Sequence, residues 1–301
     1  MNKDLRKKIS SNLNTIRWVI VLVAMGTSIP SLGQSQVARE YKDIVYARVG
    51  GKNLVMDIFI PASPSIPPLL VWVHGGAWRS GTKESVPPAF IGNGFAVASL
   101  DFRQSTEAPF PAAVHDIKAA IRFLRAKAQE YGCQGDRIVI GGASSGGHLA
   151  ALVGVTNGNA KLEGDIGDHI DQSSSVQGIV DFYGASNLLT ILNQSTPHGL
   201  SVRKPALELF LGTLPENAVE LAELASPVTH VDLNDPPLLL IHGDQDPQMP
   251  INQAHELEGK YSELNLDVSF DVVHGGFHGG EIFYSGKHLD IMWAFLRRIL
   301  D

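Results

Sequence analysis

Cysteine is almost absent from the chain: Cys133 is the single one in 301 residues. No intrachain disulfide, four-cysteine zinc site or CxxC redox pair can therefore form. Positive charge is also short. The 24 Lys and Arg against 31 Asp and Glu leave a formal net charge of -7, the wrong sign for a chain that works by neutralising phosphates, so nucleic acid is not an expected partner. Internal repeats, low-complexity blocks and Pro/Ser linkers are missing beyond Gln34, which leaves one domain as the expectation. With 44% hydrophobic and 18% charged residues, the chain has apolar side chains enough for a sizeable core. Collagen-like, disordered and polytopic membrane classes are excluded.

The N-terminus reads differently from the rest. Lys3, Arg6, Lys7, Lys8 and Arg17 precede an apolar run from Trp18 to Met25, followed by Gly26, Pro30, Ser31 and Gly33, the order of a secretory signal peptide. The run is shorter than the roughly 18 residues of a spanning helix, so a membrane anchor is the weaker alternative. Residues 1–33 are thus expected to be a leader, with cleavage after Gly33 leaving Gln34 first and no stable membrane association afterwards. An exported chain without disulfides fits a bacterial periplasm or exterior, secreted or periplasmic. Oligomeric state is not legible.

Along the remainder, short β-branched or apolar runs stand at Leu54–Ile60, Leu69–Val73, Phe95–Leu100, Arg137–Ile140, Val176–Val180, Leu238–Ile241 and Val268–Val273. Most alternate too little for a half-exposed strand and predict a sheet buried on both faces. Between them lie helix-period segments, the clearest from Pro111 to Tyr131 with Val114, Ile117, Ile121, Leu124 and Ala128 on one stripe and Gly132 as its stop. Further helices are expected from near His148, Ile251 and Tyr284. Alternating strands and helices predict an α/β fold with a mainly parallel central sheet flanked by helices on both faces, whose chemistry gathers at the carboxyl ends of the strands.

After Arg137–Ile140 comes Gly141-Gly142-Ala143-Ser144-Ser145-Gly146-Gly147-His148. Gly142 and Gly146 bracket Ser144 in a G-x-S-x-G pattern, a strained strand-to-helix turn that lifts a hydroxyl off the sheet onto a helix N-terminus. The competing interpretations are a passive serine in a Gly-rich turn, and Ser145, bracketed by Ala143 and Gly147, as the nucleophile. Ser145 is otherwise expected to donate its backbone N–H.

A serine nucleophile needs a histidine base and a carboxylate to orient it, here in the order Ser, acid, His. After Leu238–Ile241, His242-Gly243-Asp244-Gln245-Asp246-Pro247 offers two carboxylates. Asp246 is favoured as the one further into the loop; Asp244 is the alternative, and a plain Asx turn is the bland one. After the last strand, His274-Gly275-Gly276-Phe277-His278-Gly279-Gly280 offers two histidines. His278 is favoured, between flexible glycines, over His274, which directly follows the strand and reads as a packed loop residue.

His74-Gly75-Gly76-Ala77-Trp78 follows Leu69–Val73. Glycines there let backbone N–H groups approach a substrate oxygen, forming an oxyanion hole with the residue after the nucleophile. Trp78 is expected to pack rather than to contact substrate. The segment Asp165–Ser175, with Asp165, Asp168, His169 and Asp171, lacks a calcium-loop pattern and reads as a solvated loop, so no metal or organic cofactor is expected.

Taken together, these stretches make the chain resemble α/β-hydrolase serine esterases of the hormone-sensitive-lipase and acetylesterase type, and most of all the bacterial bifunctional acetylxylan and feruloyl esterases. The resemblance runs from about Tyr41 to the C-terminus. It is carried by Val73 to Gly81, Ala108-Pro109-Phe110-Pro111-Ala112 with His115-Asp116-Ile117-Lys118, Gly142 to Ala150, Ala225-Ser226-Pro227-Val228, and His242 to Asp246. It implies one catalytic domain over residues 34–301 and a catalytic Ser144, Asp246 and His278. It also implies oxyanion donors from Gly76, Ala77 and Ser145, and ester substrates, among them the acetyl or feruloyl groups of xylan. A broad short-chain carboxylesterase is the alternative. A peptidase of the same fold, or a non-catalytic binding module, is less favoured. The chain departs from the family pattern at Ala77, where glycine is frequent, and at Phe102, where tyrosine is common.

Overall fold

A computed structural model describes residues 37–300; the expected leader and its cleavage point lie outside the described residues. Eight strands form one sheet: β1 (Val37–Val49), β2 (Lys52–Pro61), β3 (Leu69–Val73), β4 (Ala96–Leu100), β5 (Ile138–Ala143), β6 (Gly178–Phe182), β7 (Leu238–Gly243) and β8 (Val268–Val273). The helices are α1 (Ala112–Tyr131), α2 (Ser145–Gly154), α3 (Ala160–Glu163), α4 (Ile191–Gln194), α5 (Pro197–Leu211), α6 (Val219–Leu224), α7 (Asn252–Glu263) and α8 (Gly286–Leu300).

The sheet order is β1-β2-β4-β3-β5-β6-β7-β8. β1 and β2 pair antiparallel with each other, and β2 antiparallel with β4; every other pairing is parallel. This is the α/β-hydrolase fold. Every residue of β3, β4, β5, β6 and β7 is buried, as non-alternating apolar runs require when helices cover both faces. Successive side chains go to opposite cores: Leu69, Val71 and Val73 join Val114, Ile117 and Leu152 on one face, while Leu70 and Trp72 join Met292, Trp293 and Leu296 of α8 on the other. All five stripe residues of α1 are buried, and Gly132 ends that helix in the left-handed conformation at φ 84.

β1 is the strand without a signal in the sequence. It runs along the sheet edge, mostly exposed, with charged residues at Arg39, Glu40, Lys42, Asp43 and Arg48 and three shifts of register, so neither an apolar run nor a clean alternation marks it. The helices α3 to α6, inserted after α2 and between β6 and β7, are likewise additions to the expected set. For α5, Pro205 inside the helix disguises a segment otherwise delimited by Thr196 as N-cap, Pro197 and a left-handed Gly212.

Register decides where the loops meet. Val73 lies opposite Gly142, Ala143 opposite Phe182, Phe182 opposite Ile241, and Gly243 opposite Val273. The segments leaving β3, β5, β7 and β8 thus emerge on one rim, which holds every candidate site residue.

Candidate active site

The turn between β5 and α2 places Ser144 at φ 57, ψ −120, a conformation costing a non-glycine residue about 1–3 kcal/mol. Close packing holds it there. A Cβ on Gly142 would stand 2.3 Å from the carbonyl oxygen of Gly146, and one on Gly146 would stand 2.1 Å from that of Val73. Only glycine fits either position, which is the physical content of the bracket around Ser144.

Ser144 Oγ lies 2.8 Å from His278 Nε2, and His278 Nδ1 lies 2.6 Å from Asp246 Oδ2. With the Nδ1 proton directed at the carboxylate, Nε2 is the acceptor for the serine hydroxyl. The other carboxylate oxygen, Oδ1, accepts from the backbone N–H of Gln248 and of Met249, each at 2.8 Å. Burial alone would raise the Asp246 pKa. The hydrogen bonds from the histidines and the Met249 amide outweigh it and hold the carboxyl well below the usual range. His242 Nε2 stands 3.5 Å from Asp246 and gives its proton to the Met249 carbonyl at 3.0 Å. For His278 the balance goes the other way, burial outweighing the Asp246 partner, so its pKa falls below 6.5 and the imidazole is neutral near pH 7.

Of the residue pairs left open above, the structure brings one set together and separates the other. Asp244 meets His274 instead, at 2.9 Å, on a surface where the His274 side chain is 85% exposed. Ser145 is buried as the first residue of α2, so its N–H has no partner four residues back. Gly76 and Ala77 border the same cavity as Ser144 and His278, a pocket of about 340 Å³.

The loop that carries Gly76 and Ala77 is rigid for identifiable reasons. Gly76 has φ 125, and a Cβ there would meet the Ser80 carbonyl oxygen at 2.0 Å. The Gly76 carbonyl accepts from Arg79 N, Ser80 N and Ser80 Oγ. Ala77 and Trp78 are both left-handed, at φ 54 and φ 60, a strain offset by burial of Trp78. Its ring stacks on Phe210 at 4.9 Å, and its carbonyl accepts from Ser105 N and Oγ. Trp78 is thus a packing residue. Phe102, the other departure from the family pattern, stacks on His74 with ring centroids 4.4 Å apart.

Three residues of the pocket are not legible from motifs. Tyr183 packs its ring edge on His278 at 5.0 Å and bonds its hydroxyl to that of Tyr284 at 2.5 Å. Gln248 and Arg203 complete the far wall. Tyr183 carries a left-handed φ of 44, which no sequence pattern announces; its position directly after a buried strand is the one available signal. Among the described residues no three His, Cys, Asp or Glu side chains stand close enough to hold a metal ion, and no helix is long and apolar enough to cross a membrane.

Comparison with known proteins adds kinship to this geometry. The family model BD-FAE matches residues 56–261. Esterase LipC of Mycobacterium tuberculosis is 28% identical over 228 residues, covering 74% of this chain and 55% of LipC. Among solved structures, a truncated form of a carbohydrate esterase from gut microbiota superposes with TM-score 0.78 at 29% identity, over 88% of this chain and 98% of that one. A bifunctional GH43-CE protein of Bacteroides eggerthii does so with TM-score 0.78 at 31% identity, over 87% of this chain and 35% of that one. The chain spans about half the length of the curated relatives it matches.

Proposed function

The chain belongs to the BD-FAE family, within the α/β-hydrolase serine esterases, and from that premise we propose that it hydrolyses carboxylic esters of small acyl groups through an acyl-enzyme on Ser144. The observation that carries this reading is the continuous chain of hydrogen bonds from Ser144 Oγ through His278 to Asp246. A serine hydroxyl alone is a poor nucleophile at neutral pH, and a neutral imidazole at 2.8 Å is placed to take its proton as it attacks.

In this mechanism Ser144 Oγ adds to the ester carbonyl while its proton passes to His278 Nε2. The resulting imidazolium is stabilised by Asp246, whose carboxyl stays ionised because His278 and the Gln248 and Met249 amides bond to it. Negative charge builds on the former carbonyl oxygen and is met by the N–H groups of Gly76, Ala77 and Ser145. Among the described residues no protein acceptor occupies the Gly76 or Ala77 amide, which leaves both free to donate to a substrate oxygen. As the tetrahedral adduct collapses, the C–O bond to the alcohol breaks and His278 returns its proton to the leaving oxygen. Water then adds to the acyl carbonyl as its proton passes to His278, and the C–O bond to Ser144 breaks as His278 returns that proton to Ser144 Oγ, releasing the acid. Tyr183 acts as a positioning residue that keeps the imidazole upright.

A carbohydrate ester is the second reading, favoured by the likeness to a carbohydrate esterase and to a GH43-CE protein. On that reading the acetyl or feruloyl groups of xylan are the substrates, and residues 1–33 are a leader that takes the chain to them. N-terminal sequencing of chain recovered from its host, expected to begin near Gln34, checks the leader; an intact Met1 contradicts it. A panel of short and long nitrophenyl esters, methyl ferulate, acetylated xylan and peptide amides tests the activity. Turnover of short esters is expected. Turnover of amides alone would overturn the reading.

A further inference from the structure

The cavity around Ser144 is unlike the rest of this acidic chain. Its lining includes two arginines, Arg79 at the exposed rim and Arg203 within, and no carboxylate. Arg203 is 1% exposed. It stands one helical turn after Gly199 on the face of α5 that meets the loop following β7. There Gly199 allows close approach, since a Cβ would lie 3.1 Å from the Gln248 carbonyl oxygen, and Thr196 Oγ1 bonds to the Pro247 carbonyl at 2.7 Å. The Arg203 guanidinium is tied to that loop by a single bond, Nε to the Gln248 carbonyl at 3.2 Å.

The remaining donors are the anomaly. Among the described residues, one terminal nitrogen is buried without any hydrogen-bond partner and no carboxylate pairs with the group. Asp246 exerts a long-range attraction on it, but both Asp246 oxygens are already engaged by His278 and by two backbone amides. A guanidinium taken out of water without an anion carries a desolvation penalty of several kcal/mol. Arg203 lines the cavity, and a planar guanidinium tethered only at Nε keeps its terminal N–H donors for an anion, a carboxylate being the one that matches its geometry.

The geometry points to Arg203 as a substrate-recognition residue for an ester that carries a carboxylate a few bonds from its scissile carbonyl. The inference rests on the esterase reading above. Arg79, exposed at the rim and without a side-chain partner among the described residues, adds attraction for an incoming acid that the net charge of -7 would otherwise repel. The carboxylate can sit on either the acyl or the alcohol side of the ester, since both begin at the same carbonyl.

Two pairs of near-isosteres separate these sources: methyl hydrogen succinate against methyl succinamate for the acyl side, and acetoxyacetate against acetoxyacetamide for the alcohol side. In one pair the acid is expected to have a kcat/KM about tenfold or more above its amide, mainly through KM. Arg203→Met should erase that preference and Arg203→Lys should restore part of it. Equal rates for acid and amide in both pairs would overturn the proposal while leaving the esterase reading intact. Failure to turn over any of the four esters, or 4-nitrophenyl acetate, would overturn both. Should Arg203→Met not fold, Ser144→Ala keeps the native Arg203 and can be titrated with the same four compounds by calorimetry. Binding of one acid about tenfold tighter than its amide supports the proposal; equal binding overturns it.

Discussion

Trp78 Nε1 donates to His148 Nδ1 across 3.0 Å, joining the loop that presents Gly76 and Ala77 to the helix that begins one residue after Ser144. The bond fixes the tautomer of His148, whose Nε2 proton goes to the Ala225 carbonyl at 2.7 Å. Fully buried, this histidine has its pKa drawn down to about 4 and stays neutral. Two halves of the reacting site are thus held at a set spacing by groups that never meet substrate.

Trp78→Phe removes that donor and keeps most of the ring. His148 Nδ1 is then a buried acceptor without a partner, a loss of about 1–3 kcal/mol in stability. Activity should fall by about tenfold, in kcat more than in KM, because the oxyanion donors lose their position relative to Ser144. Chemical denaturation and Michaelis kinetics check both; unchanged kcat would show that the loop holds itself.

Two glycine substitutions should move stability in opposite directions. Gly146→Ala puts a methyl group 2.1 Å from the Val73 carbonyl oxygen, a backbone contact that neither partner can relieve by rotation. A loss of about 1–3 kcal/mol is expected, with activity reduced as the elbow shifts. At Gly259, exposed in α7, an added methyl group would meet nothing within 4 Å, so Gly259→Ala should gain about 0.5–1 kcal/mol from helix propensity alone. Urea midpoints of the two variants against the parent chain provide the comparison.

The candidate acid and base separate cleanly by mutation. His278→Ala should be nearly inactive and Asp246→Asn somewhat less so, since water can partly replace the orienting carboxylate. His274→Ala and Asp244→Asn should keep activity within about tenfold, since the two pair with each other and neither lines the cavity at Ser144. Because His278 titrates below 6.5, the acidic limb of kcat/KM against pH should have an apparent pKa below that value. Protonation removes the base, so activity falls as pH drops through the limb. A limb above 6.5 would mean that the Asp246 partner outweighs burial in the free enzyme.

The legible parts of this protein are those decided within a few residues. The buried strands declare themselves as short apolar runs, and the glycines around Ser144 appear because both positions touch backbone carbonyls in any such turn. Asp244 and Asp246 are alternatives in sequence because both follow β7. Only the path of the loop turns the first to His274 and the second to His278. Arg203 and Tyr183 are illegible for a different reason. Arg203 reaches the pocket because α5 docks through Gly199 and Thr196 onto residues 247–248, where Arg203 itself bonds to Gln248, 45 residues away along the chain. β1 is hidden by its place at the sheet edge, where burial no longer selects apolar side chains.

Covalent trapping tests most directly whether Ser144 Oγ is the atom to which the acyl group is transferred. Incubating the chain with diethyl 4-nitrophenyl phosphate and mapping the adduct by peptide mass spectrometry should show one phosphoryl group on Ser144, with activity lost in proportion. The Ser144→Ala chain should take up no label and lose about three or more orders of magnitude in kcat. A label on Ser145 accompanied by loss of activity, or an active Ser144→Ala chain, would contradict the account.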